Sequence, residues 1–161
     1  MRCADLLVKL YLLEDNWAFL DEQKVKGIVI RKPLGGEIFR VVEWVRQTFG
    51  AGWASEVTVS LHSPGRCCFI AIREEQIIGF CCYDSTALGF CGPLGVDSLH
   101  RSHSTGSALL KACLLDMKLK GYGYAVMGWV PESTFGFYEK TVNATVIDGS
   151  HPGVYAGYLK G

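Results

Sequence analysis

The stretch HRSHSTGSALL, His100 to Leu110, follows an apolar run ending in GFCGPLGV, Gly89 to Val96, and leads into a run of helical spacing. A strand, a polar turn and a helix in that order put the free N–H groups of a helix's first turn within reach of an anion. The positive end of the helix dipole lies there too. Ser102, Ser104, Thr105, Gly106 and Ser107 are small enough for a phosphate to approach the backbone, and Arg101 adds a fixed positive charge. The same residues admit a plainer reading, in which Ser102 or Ser104 caps the helix. The stretch is not a Walker A loop, because no Gly-Lys-Ser/Thr follows, nor is it a GxGxxG fingerprint. Taken alone it leaves cap and cradle both open.

The flanks narrow the choice. Gly92-Pro93 falls inside the strand that precedes the turn. Proline cannot donate to a ladder, so the strand must be an edge or carry a bulge, and either leaves backbone groups free for another partner. After the turn, Leu109, Cys113 and Met117 form one i, i+4 stripe with Leu110 and Leu114 beside it. Asp116 and Lys120 are spaced to pair, and Gly121 suits the helix end.

Upstream, LLVKLYLL (Leu6 to Leu13) predicts a first strand. Ile38, Val41, Val42, Val45 and Phe49 predict a helix, stopped by Gly50 and Gly52. A second helix is expected from Trp53 to His62. CCFIAI and IIGFCCYD about the turn REEQ predict a hairpin. Downstream come a strand over YAVMGWV (Tyr124 to Val130), a short helix around Ser133 to Lys140, and final strands at ATVI and VYAGYL. With no repeat or linker to divide it, the chain is expected to form one α/β domain over residues 1–161.

Composition excludes several classes. Lys plus Arg number 16 and Asp plus Glu 16, so there is no basic excess of the kind that nucleic-acid or anionic-membrane binders use. Neither partner is expected. Seven cysteines, an odd count with no CxxC, argue against a disulfide framework or a zinc site; no metal and a reducing, cytoplasmic location are expected. MRCADLLVKLYLL does not read as a signal peptide, because Asp5 and Lys9 interrupt it.

GPLGV, then HRSHSTGSALLKACL, resembles the acetyl-CoA-binding core of the GNAT superfamily of N-acetyltransferases. The family signature is Arg or Gln, two residues, Gly, one residue, then Gly or Ala. Here it reads Arg101, Ser102, His103, Ser104, Thr105, Gly106. FYEK, Phe137 to Lys140, resembles the family's later helix motif. The resemblance implies an α/β (α+β) fold with a mixed, mostly antiparallel central sheet. A bulged strand is splayed to admit acetyl-CoA, and helices cover both faces. It implies that Leu94, Gly95 and Val96 pair with the pantetheine arm, one N–H polarising the thioester carbonyl, and that Arg101 to Ser107, His103 included, hold the pyrophosphate. Tyr138 would protonate the departing thiolate, and a primary amine would attack directly in a ternary complex. Two positions depart from the family: Ser104 stands for the usual Gly, and Pro131 for an Asn.

No unique base is named by the sequence; Glu43 and Asp84 are the candidates, because family members build acceptor sites from those regions. Among Trp44, Trp53, Tyr83 and Trp129, most are expected to pack in the core and one or two to wall an acceptor pocket. The expected acceptor is a small-molecule amine or a protein amine, and a homodimer is consistent with the family. The alternative is a non-catalytic acyl-CoA-binding or regulatory module.

Overall fold

The computed structural model describes residues 2–160. Its centre is the hairpin of β3 (Cys68–Arg73) and β4 (Gln76–Tyr83), turned by Glu74 and Glu75, both at positive φ. Such a two-residue turn matches the right-handed twist of the strands it joins. β2 (Ile28–Arg31) and β5 (Cys91–Val96) flank the hairpin, giving an antiparallel sheet in the order β2-β3-β4-β5. A second antiparallel sheet runs β6-β1-β7, from β1 (Cys3–Lys9), β6 (Tyr124–Pro131) and β7 (Thr145–Ile147). Where β5 meets β6, one parallel bridge joins Phe90 to Val126 and the ladder then lapses.

Helices cover both faces, which is why β3 and β4 read as unbroken apolar runs rather than alternating ones. α2 (Ile38–Phe49) and α3 (Ala51–His62) bury Val41, Val45, Ala54, Val57 and Leu61 against Cys68, Ile70, Phe80 and Cys82. α4 (Thr105–Leu119) covers the opposite face with Leu109, Leu110, Cys113, Leu114 and Met117 against Phe69, Ala71, Ile78, Cys81 and Tyr83. Between β3 and β4 the register shifts by one residue at Ile78. That bulge leaves Ile78 on the α4 side and returns Phe80 and Cys82 to the α2–α3 side. Phe80 is fully buried, with Trp44, Phe49 and Trp53 ringing it at centroid distances of 6.2, 5.7 and 5.9 Å. α5 (Phe135–Val142) closes the chain's last turn before β7.

The bulge expected at Gly92-Pro93 is present: Cys81 pairs with Leu94 and Tyr83 with Cys91, so β5 carries one residue more than β4. Gly50, at φ 103°, ends α2, but Gly52 lies within α3 rather than stopping a helix. Three expectations need correction. The first strand ends at Lys9, not Leu13, because its partner β6 begins opposite it at Tyr124; Leu10 to Leu12 turn away as a 3-10 helix. Between Leu13 and Arg31 the sequence suggested nothing, yet α1 (Ala18–Val25) and β2 lie there. α1 buries one residue, Gln23, and β2 is a four-residue edge strand, both too short to show a period. VYAGYL is no strand: Pro152 and Gly153 turn the tail into a 3-10 helix, Gly153–Tyr155, that packs on Trp129. Among the described residues no helix is long and apolar enough to cross a membrane.

Arg31 on β2 clamps the start of α2. Its guanidinium donates to both oxygens of Glu37, at 2.8 and 2.7 Å, and Leu34 N–H adds a third bond at 2.8 Å. These bonds hold the Glu37 carboxyl down at about 2, from an ordinary 4.5. A depressed acid stabilises the fold above its ordinary value, and loses that contribution as pH falls toward its folded value. Glu37→Gln is therefore expected to unfold at lower urea concentration than the parent at pH 7. The gap should close between pH 4.5 and about 2. Phe80→Ala should cost about 3–5 kcal/mol in the same measurement, since it empties the centre of the α2–α3 core.

Candidate active site

The turn before α4 is held in an unusual shape. Ser104 has φ 59° and ψ 20°, the left-handed region, and its side chain makes no bond to the helix. That geometry costs a non-glycine residue about 1 kcal/mol, which gives a physical reason for glycine at this point of the signature. The capping reading of Ser104 is thus set aside. The turn is fastened from α1 instead. Gln23 Nε2 donates to the His103 carbonyl at 2.8 Å, and its Oε1 accepts from Thr105 Oγ1 at 2.9 Å. Lys26 Nζ also reaches the His103 carbonyl, at 2.9 Å. The His103 carbonyl is thus turned to α1, its ring lies beside Arg73, and the residue does not line the cleft described next. Ala108 N–H bonds the Ser104 carbonyl at 3.0 Å, so the N–H groups of Thr105, Gly106 and Ser107 stand free of helical partners.

These groups open into a cavity of about 920 Å³ in the gap where β5 parts from β6. Leu94, Gly95, Val96, Arg101, Ser102 and Ser104 to Ser107 all line it. Its charged residues are Arg101, Lys111 and Lys140, with no carboxylate among the described residues. The His100 ring lines it too, and His100 Nδ1 is buried without a hydrogen-bond partner. A buried polar atom left so is costly unless a ligand or water meets it. Phe49 lies over Gly95, where a Cβ would come within 2.5 Å of its ring, so a side chain there would displace the ring. Asp97 N–H bonds the Ile78 carbonyl at 2.8 Å. By the alternation of an antiparallel pair, Gly95 faces β4 and the backbone groups of Leu94 and Val96 face the gap. Arg101 Nε bonds the Val96 carbonyl there at 3.2 Å.

A second cavity, of about 700 Å³, continues the gap beyond Leu94. Trp53, Leu94, Thr134 and Phe137 border both, so the two are one cleft. Tyr138 lines this end, and burial pushes its phenol well above the ordinary value, so it carries its proton at neutral pH. Pro131 lines it as well. The one charged residue here among the described residues is Glu56 on α3, whose carboxylate accepts a bond from the Thr86 hydroxyl.

Neither candidate base reaches the cleft. Glu43 sits on the exposed side of α2, paired with Arg46 at 2.6 Å, and borders neither cavity. Asp84 braces the β4–β5 turn, accepting Gly89 N–H at 2.7 Å and the Tyr122 hydroxyl. Glu56 was missed, although Trp53 and Glu56 at i, i+3 share a helix face. Gln23 was missed for a different cause: it acts on residues about 80 positions away. Of the four aromatics singled out, Trp44 and Tyr83 pack in the core, and Trp53 and Trp129 wall the cleft. Three core thiols, Cys81, Cys91 and Cys113, lie with their sulfurs within 4.8 Å of one another, and burial pushes Cys81 and Cys113 well up.

Replacing Ser104 separates strain from capping. Ser104→Gly is expected to raise the unfolding free energy by up to about 1 kcal/mol, less what glycine's looser unfolded chain takes back. Ser104→Ala should stay within about 0.5 kcal/mol of the parent, because no cap is lost. A loss of about 1 kcal/mol or more in the alanine variant, read by urea unfolding, would reinstate the capping role.

Comparison with known proteins agrees with this geometry. The family model for the acetyltransferase (GNAT) domain matches residues 64–141, from the turn before β3 into the last turn of α5. No curated protein matches the chain in sequence. Among solved structures, the chain is similar to the glucosamine N-acetyltransferase region of a fungal multi-domain β-N-acetylglucosaminidase, at TM-score 0.72 and 13% identity over 90% of this chain and 20% of that one. A GCN5-related N-acetyltransferase from Sphaerobacter thermophilus aligns at TM-score 0.69 and 18% identity, over 90% and 48%. An acetyltransferase structure from Pyrococcus horikoshii aligns at TM-score 0.52 and 17% identity, over 71% and 42%. The chain thus spans between a fifth and about half of the length of these structures, and at such identities they establish the fold. The matched segment contains β3 to α5 with the cradle and the bulged strand, and over these residues the chain matches the acetyltransferase (GNAT) domain.

Proposed function

We propose that this protein is an acetyl-CoA-dependent N-acetyltransferase that moves an acetyl group to a primary amine within a ternary complex. The observation that carries the reading is the polarity of the single cleft. Free helix N–H groups and three cations stand at one end, a bulged strand with unpaired backbone lies in the middle, and one carboxylate stands at the other end. An anionic coenzyme and a cationic amine entering from opposite ends meet at the strand. The orphaned His100 Nδ1 and the free N–H groups of Thr105 to Ser107 fit a pyrophosphate in kind.

In this reading Thr105 to Ser107, with Arg101, Lys111 and Lys140, hold the pyrophosphate. The N–H groups of Leu94 and Val96 pair with the pantetheine arm, and one of them donates to the carbonyl oxygen as charge develops on it. Glu56 binds the incoming ammonium and takes its first proton, leaving a neutral amine to attack. The N–C bond forms, the C–S bond breaks, and the second nitrogen proton leaves as the amide forms. Tyr138 gives its proton to the leaving thiolate and regains one from that released at nitrogen. Since the Tyr138 pKa is raised, the phenol sets no alkaline fall in rate below about pH 10.

Acetyl-CoA and coenzyme A are expected to raise the melting temperature, and ATP to raise it less, because a ligand of the native state alone stabilises by mass action. Tyr138→Phe should keep that shift and lose turnover about 100-fold or more. No shift with acetyl-CoA at saturation removes the reading. Equal turnover in the phenylalanine variant removes the acid role, and binding without turnover toward any amine leaves the coenzyme-binding module.

A further inference from the structure

Trp129 is a bulky residue held in the left-handed region at the cleft. It lies inside β6 with φ 52°, a conformation that bulky side chains rarely adopt. Between Ala4 and Leu6 the β1–β6 register slips, so that Gly128 and Trp129 hold one residue more than β1 can pair. A bulge of this kind re-aims a side chain. It is pinned by a buried charge: Asp5 on β1, 6% exposed, accepts the Trp129 N–H at 2.8 Å, and Asp5 N–H donates to Ser150 Oγ at 2.7 Å. The indole so placed is backed by the tail, with Tyr155 at 4.8 Å, His151 at 5.6 Å and Tyr158 at 6.5 Å between ring centroids. The tail seats tightly, since a Cβ on Gly128 would come within 2.1 Å of the Tyr155 hydroxyl. Strain maintained by a buried carboxylate and a dedicated tail points to use of the indole.

From this we infer that the acceptor is a monoamine whose ammonium meets Glu56 and whose body is aromatic or flat and apolar, packed against the face that Trp129, Tyr155 and Tyr158 present to the cleft. The inference rests on the acetyltransferase reading. The walls at this end include Trp53, Phe90, Trp129, Phe137, Tyr155 and Tyr158, and Glu56 is the sole charge among the described lining residues. A polyamine brings further ammonium groups that find no carboxylate here, and an aminosugar brings hydroxyls that face rings. An arylalkylamine leaves no polar group unmet and presents its cation to the carboxylate and the ring faces together.

The test compares 2-phenylethylamine, spermidine and glucosamine as acceptors with acetyl-CoA, following acetyl-CoA consumption, with coenzyme A binding measured separately by calorimetry. Phenylethylamine is expected to give a kcat/KM about tenfold or more above either competitor. Trp129→Ala and, on the exposed tail, Tyr158→Ala should each raise its KM several-fold with coenzyme A affinity unchanged. Glu56→Gln should lower kcat/KM for it about tenfold or more, again with coenzyme A affinity kept. Preference for spermidine or glucosamine, or equal KM in both aromatic variants, overturns the acceptor assignment while the transferase reading stands. Failure to bind coenzyme A overturns both. The comparison of amines on the parent protein decides the matter even where a variant fails to fold.

Discussion

Between β5 and β6 the hydrogen bonds that knit the rest of each sheet give way after the bridge of Phe90 to Val126, and backbone groups of Leu94 and Val96 turn toward open space. An interior donor or acceptor without a partner costs about 1–3 kcal/mol, so a gap of this kind persists only where packing prevents its closure or a ligand meets it. Packing prevents it here. The bulge at Gly92-Pro93 shifts β5 out of step, Phe90 and Tyr155 fill the space over Gly128, and Tyr138 packs against the core from α5. The turn before α4, Tyr138 and Glu56 acquire their places from that parting of strands.

Both halves of the molecule contribute to the edges of the gap. α2 and α3, anchored on Phe80, bring Phe49 over Gly95 and Trp53 to the middle of the cleft. From the other side, β1 slots between β6 and β7 and carries Asp5 to the Trp129 bulge. Gln23 ties α1 to the turn on both sides of Ser104, which is how a serine is kept where glycine would sit without strain.

The parts legible in the sequence are those whose cause is local. The β3–β4 hairpin follows from two apolar runs about a charged turn, α2 from its spacing of valines, and α4 from the stripe through Leu109, Cys113 and Met117. The bulge follows from a proline that cannot donate. The cradle was legible as chemistry, because small residues at a helix start leave N–H groups free whatever the surroundings. Glu43 and Asp84 were drawn from chain regions rather than from contacts. The structure gives one to a surface ion pair and the other to a turn.

The sequence by itself determined the element types wherever a period of two or 3.6 ran long enough to show, and it determined the turn at the start of α4, whose free donors come from the backbone. Tertiary structure decided what depends on residues far apart in the chain. It set the place of β1 inside the second sheet, the fastening of the turn by Gln23 and the placement of Glu56 in the wall of the cleft. It also folded the tail onto Trp129 in place of a final strand. The physical reason is that hydrogen bonds within a helix or hairpin connect near neighbours and leave a local pattern. Which side chains share a cleft is set by packing between elements, and that leaves no period in the chain to read.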